Sequence, residues 1–362
     1  MDRASPDASR TSTGTMATML PDGRRLGAHL PVADGMVKAA ERAVEIGAST
    51  LQVFSDNPTA WDRRGESSPE IPAFRDLLAR HDIAPLVIHG SYLINLAGDD
   101  DAFHEGSVRL LAAELEAARR FKASYINIHA GSHRGTGLDA GIDRLVDGIA
   151  AALAAEESTG DEAAPIVTLE NSSGGGGGIG VDVAELTAIA AALERGGVPR
   201  GRIAFCLDIA HLWGAGADLT DPQVLDRLLG AFADEIGLDR LPLIHLNDTK
   251  VDLGSRMDRH EHLGAGRLGP EGIASVLRHR ALLGAAYIIE TPGMDEGYDA
   301  INLGRAVALA RGEPLEPLPP GALSLRGSRS RATAARRRVA DEPVAAVASG
   351  ENVGGRARVE PT

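Results

Sequence analysis

Residues 245–269 read HLNDTKVDLGSRMDRHEHLGAGRLG. Three of the chain's eleven histidines, His245, His260 and His262, fall in this stretch beside Asp258. A solvated face explains the arginines and aspartates but not histidine at this density, so metal binding is the chemistry to test first. Imidazole mixed with carboxylate, without thiolate, suits zinc, with manganese and iron as alternatives. Asp258 and His260 are two residues apart and in an extended segment point the same way, so they can hold one ion together.

Such residues need a frame. Short β-branched runs alternate with Ala/Leu-rich helical stretches, the pattern of parallel strands joined by crossover helices. The predicted strands are RLGAHL (25–30), TLQVFS (50–55), PLVIHG (85–90), YINIHA (125–130), IVTLEN (166–171), IAFCLD (203–208), PLIHLN (242–247) and YIIET (287–291). Eight βα units in one series predict a closed (β/α)8 TIM barrel over residues 25–312, a single α/β domain. At or just past the C-terminal ends of these strands stand His29, His89, His129, Glu170, Asp208 with His211, His245 and Glu290. Barrel enzymes place their active sites on that face. His29 alone reads as a satisfied core histidine; the whole set does not read as packing, because charged groups are rarely buried unpaired.

Gathering Glu170, Asp208, Asp258 and Glu290 in one pocket raises their pKa values by mutual repulsion and burial unless cations are present. Divalent ions remove the conflict. The candidate ligands are His89, His129, Glu170, Asp208, His211, His245, Asp258, His260 and Glu290. At roughly three or four protein ligands per zinc, they suffice for three ions if one carboxylate bridges. That many ions suit phosphodiester hydrolysis, in which separate cations activate water, polarise the phosphoryl oxygen and neutralise the leaving alkoxide.

Composition bounds the remainder. The chain has 362 residues, 43% of them hydrophobic, and no apolar run near the roughly eighteen residues of a membrane span. One cysteine, Cys206, excludes a disulfide framework and, with no secretory signal at the N-terminus, points to the cytoplasm. A formal charge of −14 argues against nucleic acid only in part, since bound cations cancel carboxylates locally. Residues 1–24 read as a flexible extension, and 313–362, rich in Pro, Ser, Ala and Arg, as a disordered tail; deleting 314–362 is expected to leave folding and the metal site intact. The tail's Arg336, Arg337 and Arg338 could touch an acidic polymer.

The motifs IHGSYLINLA, INIHAGSH, VTLENSSG, CLDIAH, HLNDTK, GSRMDRHEHLGAGRLG and IIETP, taken in order, resemble the endonuclease IV family of apurinic/apyrimidinic endonucleases over about residues 25–312. The resemblance implies a TIM barrel with three zinc ions and a metal-activated hydroxide. Such an enzyme cleaves duplex DNA 5′ to an abasic site, leaving a 3′-hydroxyl and a 5′-deoxyribose phosphate. It also implies that His89, His129 and Glu170 hold the first ion, and that Glu170 bridges to a second held by Asp208, His245 and Glu290. His211, Asp258 and His260 would hold the third, with Glu170, Glu290 and His129 placed nearest the chemistry. A monomer is expected.

One position departs from the family. The loop after the second strand reads FSDNPTAW, with Thr59 where a basic residue near Trp61 is expected to enter the DNA stack. Tyr92 matches the family's aromatic at the minor groove. Trp61, Arg63, Arg64, Lys250 and Arg259 complete the candidate DNA contacts. The glycine run 174–178 reads as a flexible loop, GAGRLG (264–269) as a phosphate-binding turn rather than a dinucleotide site, and Cys206 as core.

The rival function is a sugar isomerase or epimerase on the same barrel, which needs only Glu170, Asp208, His245 and Glu290. The additional His89, His129, His211, Asp258 and His260 separate the two readings. A metal-storing or purely DNA-binding protein is the weaker third reading, because bridged ions with open positions are built to activate water.

Overall fold

The segments that read as apolar runs ending in a polar residue all become parallel strands of one barrel. The computed structural model describes residues 19–63, 68–156 and 163–324. In chain order the strands are β1 (Leu26–His29), β2 (Thr50–Phe54), β3 (Leu86–His89), β4 (Tyr125–His129), β5 (Ile166–Glu170), β6 (Ile203–Asp208), β7 (Leu243–His245), β8 (Asp248–Thr249), β9 (His260–Glu261) and β10 (Ala286–Ile289). Strands β1 to β7 and β10 close in the order β1-β10-β7-β6-β5-β4-β3-β2, while β8 and β9 form a separate antiparallel ribbon. The barrel strands lie within a residue or two of the expected spans. The ribbon was not expected.

Strands buried on both faces carry no polar alternation, which is why LVIH and LGAH are buried throughout. Close approach shapes the ladder as well: a Cβ at Gly27 would lie 1.8 Å from the Thr50 carbonyl oxygen, so only glycine fits there. Inside the barrel Val87, Cys206, Leu243, Ala286 and Ile288 form the apolar floor beneath the polar strand ends. The larger core lies between barrel and helices, where Phe74, Phe205 and Phe232 are fully buried.

Nine α-helices are described: α1 (Met36–Glu45), α2 (Ile71–Arg80), α3 (Asp101–Phe121), α4 (Leu138–Ala155), α5 (Val183–Arg195), α6 (Ile209–Ala215), α7 (Pro222–Glu235), α8 (Gly269–Arg278) and α9 (Tyr298–Arg311). Asp100 and Asp182 cap α3 and α5 by accepting from the Phe103 and Glu185 amides.

Both expected extensions have packed portions. Met19 bridges to Arg25, and Arg24 is buried with its guanidinium 4.9 Å from the Tyr287 ring centroid. Residues 313–324 also continue along the barrel. Leu315 packs on the core, Ala322 is buried, and Arg305 Nη1 donates to the Glu316 carbonyl at 2.7 Å. The boundary at 312 therefore falls short of the packed chain. The triple arginine at 336–338 and Arg64 lie outside the described residues.

Candidate metal centre

Strand register sets the site. Pairing aligns His29 with Gln52, His89 with Asn127, His129 with Glu170 and Asp208 with His245, so the polar strand ends form a ring at one level. Three groups of ligand atoms converge there: His89, His129 and Glu170; Glu170, Asp208, His245 and Glu290; and Asp208, His211 and His260. Asp258 stands at the rim of the third group, its carboxylate 3.0 Å from His260 Nε2 and 3.5 Å from His211 Nε2. Asp208 thus belongs with the third group as well as the second, a sharing the residue spacing did not suggest. A cleft of about 240 Å³ lined by Tyr92, His129, Ser172, Ser173, His211 and Asp258 opens onto this ring.

Four histidines are oriented alike. His89 Nδ1 donates to the Gly90 carbonyl at 2.8 Å, His211 Nδ1 to Asn171 at 2.9 Å and His260 Nδ1 to Glu290 at 3.0 Å. His245 Nε2 donates to Gln52 Oε1 at 3.1 Å. Each ring spends one nitrogen on the frame and turns the other toward the carboxylates, the arrangement that fixes a metal-binding tautomer. His245 Nδ1 is buried and makes no hydrogen bond among the described residues, and the buried His260 Nε2 faces the Asp258 and Asp208 carboxylates at 3.0 and 3.5 Å. Imidazole nitrogens turned on carboxylates are the donors a divalent cation requires, and the residues fit such ions.

The carboxylates are tied down by amides that the sequence did not mark. Asn127 Nδ2 donates to Glu170 Oε2 at 2.6 Å. Asn247 Nδ2 donates to Asp208 Oδ2, and its Oδ1 accepts from the Glu290 amide, both at 2.7 Å. Asn171 Oδ1 accepts from the Asp208 amide at 2.6 Å. Asp208 also caps α6 by accepting from the His211 amide at 2.9 Å, which couples two residues of the third group on one turn. The only signal for these amides was their place within or directly after the strands.

Charge within the ring is balanced by the histidines. Burial pushes the His89 imidazole down to about 3, against the pull of Glu290 and Glu170, so it stays neutral. Burial opposes protonation of His260 too, but Asp258 and Asp208 outweigh it and hold the ring up at about 9. Despite burial, His129 and His245 keep Glu170 well below the usual carboxylate range, and His260 and His211 do the same for Asp258. Carboxylate and imidazole in the ring thus favour each other's charged form wherever the attraction outweighs burial.

The candidate DNA contacts divide. Tyr92 is 37% exposed, with its ring 5.2 Å from Phe54 and 5.6 Å from His89. Pro58 accepts from Ser91 Oγ at 2.8 Å and from the Tyr92 amide at 3.1 Å, which ties the β2 loop to the β3 loop. Thr59 is exposed there, with its hydroxyl on Asn57 Oδ1 at 2.9 Å. Trp61 is exposed and packs edge-on against Phe103. Lys250 pairs with Glu261 at 3.5 Å, and the exposed Arg259 donates to the Asp258 carbonyl at 2.6 Å. Arg63 is ion-paired with the buried Glu114 and donates to the Asn57 carbonyl at 2.9 Å, which ties its side chain to the loop. The glycine run also differs from a merely flexible loop. Residues 175–177 make a defined turn, with Gly176 and Gly177 at φ of 62° and 78°.

A closed parallel barrel with three converging His/Glu/Asp groups at its C-terminal mouth defines a metal-site TIM barrel. A family model described as xylose isomerase-like TIM barrel matches residues 40–311. The probable endonuclease 4 of Halothermothrix orenii is 39% identical over 282 residues, which is 77% of this chain and 98% of that protein. Endonuclease IV from Thermus thermophilus superposes with a TM-score of 0.68 at 34% identity, covering 80% of this chain and 99% of that one. A 3-keto-D-glucoside 4-epimerase from E. coli, at TM-score 0.53 and 13% identity over 80% of this chain and 99% of its own, shares the fold alone. The chain belongs to the endonuclease IV family, the AP endonucleases of this barrel class. No described helix is long and apolar enough to cross a membrane.

Proposed function

We propose that this protein hydrolyses the phosphodiester 5′ to an abasic site in duplex DNA, leaving a 3′-hydroxyl and a 5′-deoxyribose phosphate. The observation that carries the reading is the third ligand group. A sugar epimerase needs only Glu170, Asp208, His245 and Glu290, whereas here Asp208, His211 and His260 converge beside them with Asp258 at the rim.

Three zinc ions are the proposed complement: the donors are imidazole and carboxylate without thiolate, since Cys206 is buried beneath the ring. Bound divalent ions supply a reactive water at neutral pH and neutralise charge on the phosphodiester. Glu170, shared by two groups, would hold neighbouring ions at a fixed separation. His129 and Glu290 would complete the first and second groups. Tyr92 and the loop bearing Thr59 and Trp61 would meet the DNA at the rim, while Lys250 and Arg259 offer positive charge beside the third group.

Incubating the purified protein with abasic and intact duplexes, beside a ketose–aldose interconversion assay, tests the proposal. Nicking confined to the abasic duplex supports it. Sugar interconversion without nicking overturns it in favour of the isomerase.

A further inference from the structure

Gln52 lies within β2, fully buried, and its side-chain amide touches three residues of the ring. Its Nε2 donates to Glu290 Oε1 at 2.7 Å and lies 3.0 Å from His29 Nδ1, while its Oε1 lies 3.1 Å from His245 Nε2. The orientation of this amide follows from its partners. An ionised carboxylate can only accept, so the amide nitrogen must face Glu290. The amide oxygen is then left for His245, which must donate from Nε2. The second amide proton goes to His29 Nδ1, so His29 carries its own proton on Nε2. Both donors and the acceptor are thereby used.

We infer that Gln52 is a positioning residue that selects the metal-facing atoms of His245 and Glu290. This rests on the metal reading proposed above and deepens it. With Nε2 engaged, His245 presents Nδ1, 3.4 Å from both Glu170 Oε1 and Glu290 Oε2. With Oε1 engaged, Glu290 presents Oε2 to the same point. Without the amide oxygen, His245 loses the acceptor that fixes its proton on Nε2. The proton moves to Nδ1, where Glu170 and Glu290 accept it, and an internal hydrogen bond then occupies the place of the ion. His29, which reads from sequence as an inert core histidine, backs the arrangement: it stacks edge-on against Phe54 at 4.6 Å and keeps the amide from turning over.

Residue type matters at this position. Methionine matches the length of glutamine but offers His245 no acceptor. Glutamate keeps an acceptor but sets a second buried carboxylate against Glu290.

The test uses the full chain and zinc alone. Wild type and Gln52→Met are loaded with zinc, titrated with a competing chelator and assayed for retained metal. A 15N NMR spectrum of the loaded wild type reports which nitrogen of His245 carries the proton. The expected result is that wild type holds three ions, that one of them binds about 10- to 100-fold more weakly in Gln52→Met, and that His245 is protonated at Nε2. Equal retention in both proteins, or a His245 protonated at Nδ1, overturns the role of Gln52 even if the variant does not fold, since the spectrum needs only wild type. A wild type that takes up fewer than three ions overturns the three-ion reading instead.

Discussion

Arg63 and Glu114 form an ion pair beneath the loop that leaves β2. Burial pushes the Glu114 carboxyl up, and the Arg63 guanidinium and Ser55 hydroxyl pull it back. The pair fastens the segment bearing Thr59 and Trp61 to α3.

Replacing Arg63 by Ala therefore strands a buried acid. We expect a loss of about 3 kcal/mol in a denaturant titration, the range for removing one partner of a buried pair. Glu114→Gln added to that variant should restore most of the loss, because no charge is then left buried. Unchanged stability in the single variant would show that the pair does not hold the loop.

At the rim, Tyr92→Ala should weaken discrimination between abasic and intact duplex by about 1–3 kcal/mol, the range for one aromatic stacking contact. Thr59→Arg should tighten abasic over intact duplex, measured at one fixed salt concentration because added charge tightens any DNA. Equal tightening on both duplexes would mean that position 59 does not face the lesion.

His260→Ala removes a nitrogen from the third group. Elemental analysis should find about two zinc ions where wild type holds about three, and cleavage should slow more than DNA binding weakens. Parallel losses in binding and turnover would place His260 in substrate affinity rather than in the chemistry.

Two truncations separate the packed strap from the chain beyond it. Ending the chain at Ser324 should leave stability unchanged. Ending it at Gly312 removes Leu315, the buried Ala322 and the Glu316 carbonyl that holds Arg305. It should cost about 2 kcal/mol. Equal thermal midpoints for the two truncations would return the strap to the status of a dispensable tail.

The barrel was legible because parallel strands buried on both faces appear as apolar runs, and their polar ends marked His89, His129, Glu170 and Asp208. Amides carry no such mark. Gln52 meets Glu290 across 238 positions of chain and Asn247 meets Asp208 across 39, and nothing in their type distinguishes them from surface amides. The ribbon escaped notice because each arm is two residues long, too short for a period. The ion pair of Arg63 was not legible because its partner lies 51 positions away on α3. The strap at 313–324 shows composition misleading in the same way: Pro-rich sequence with few large apolar residues can be held through its carbonyls, as Glu316 and Ala322 are.

The ribbon of β8 and β9 pairs with no barrel strand, yet it brings His260 and, just before it, Asp258 to the mouth. Mechanically, the third ligand group has one half in the barrel wall and one half on an appended arm: Asp208 and His211 are set by β6 and α6, and Asp258 and His260 by the ribbon. A displacement of the arm would open that group without breaking a rung of the barrel ladder.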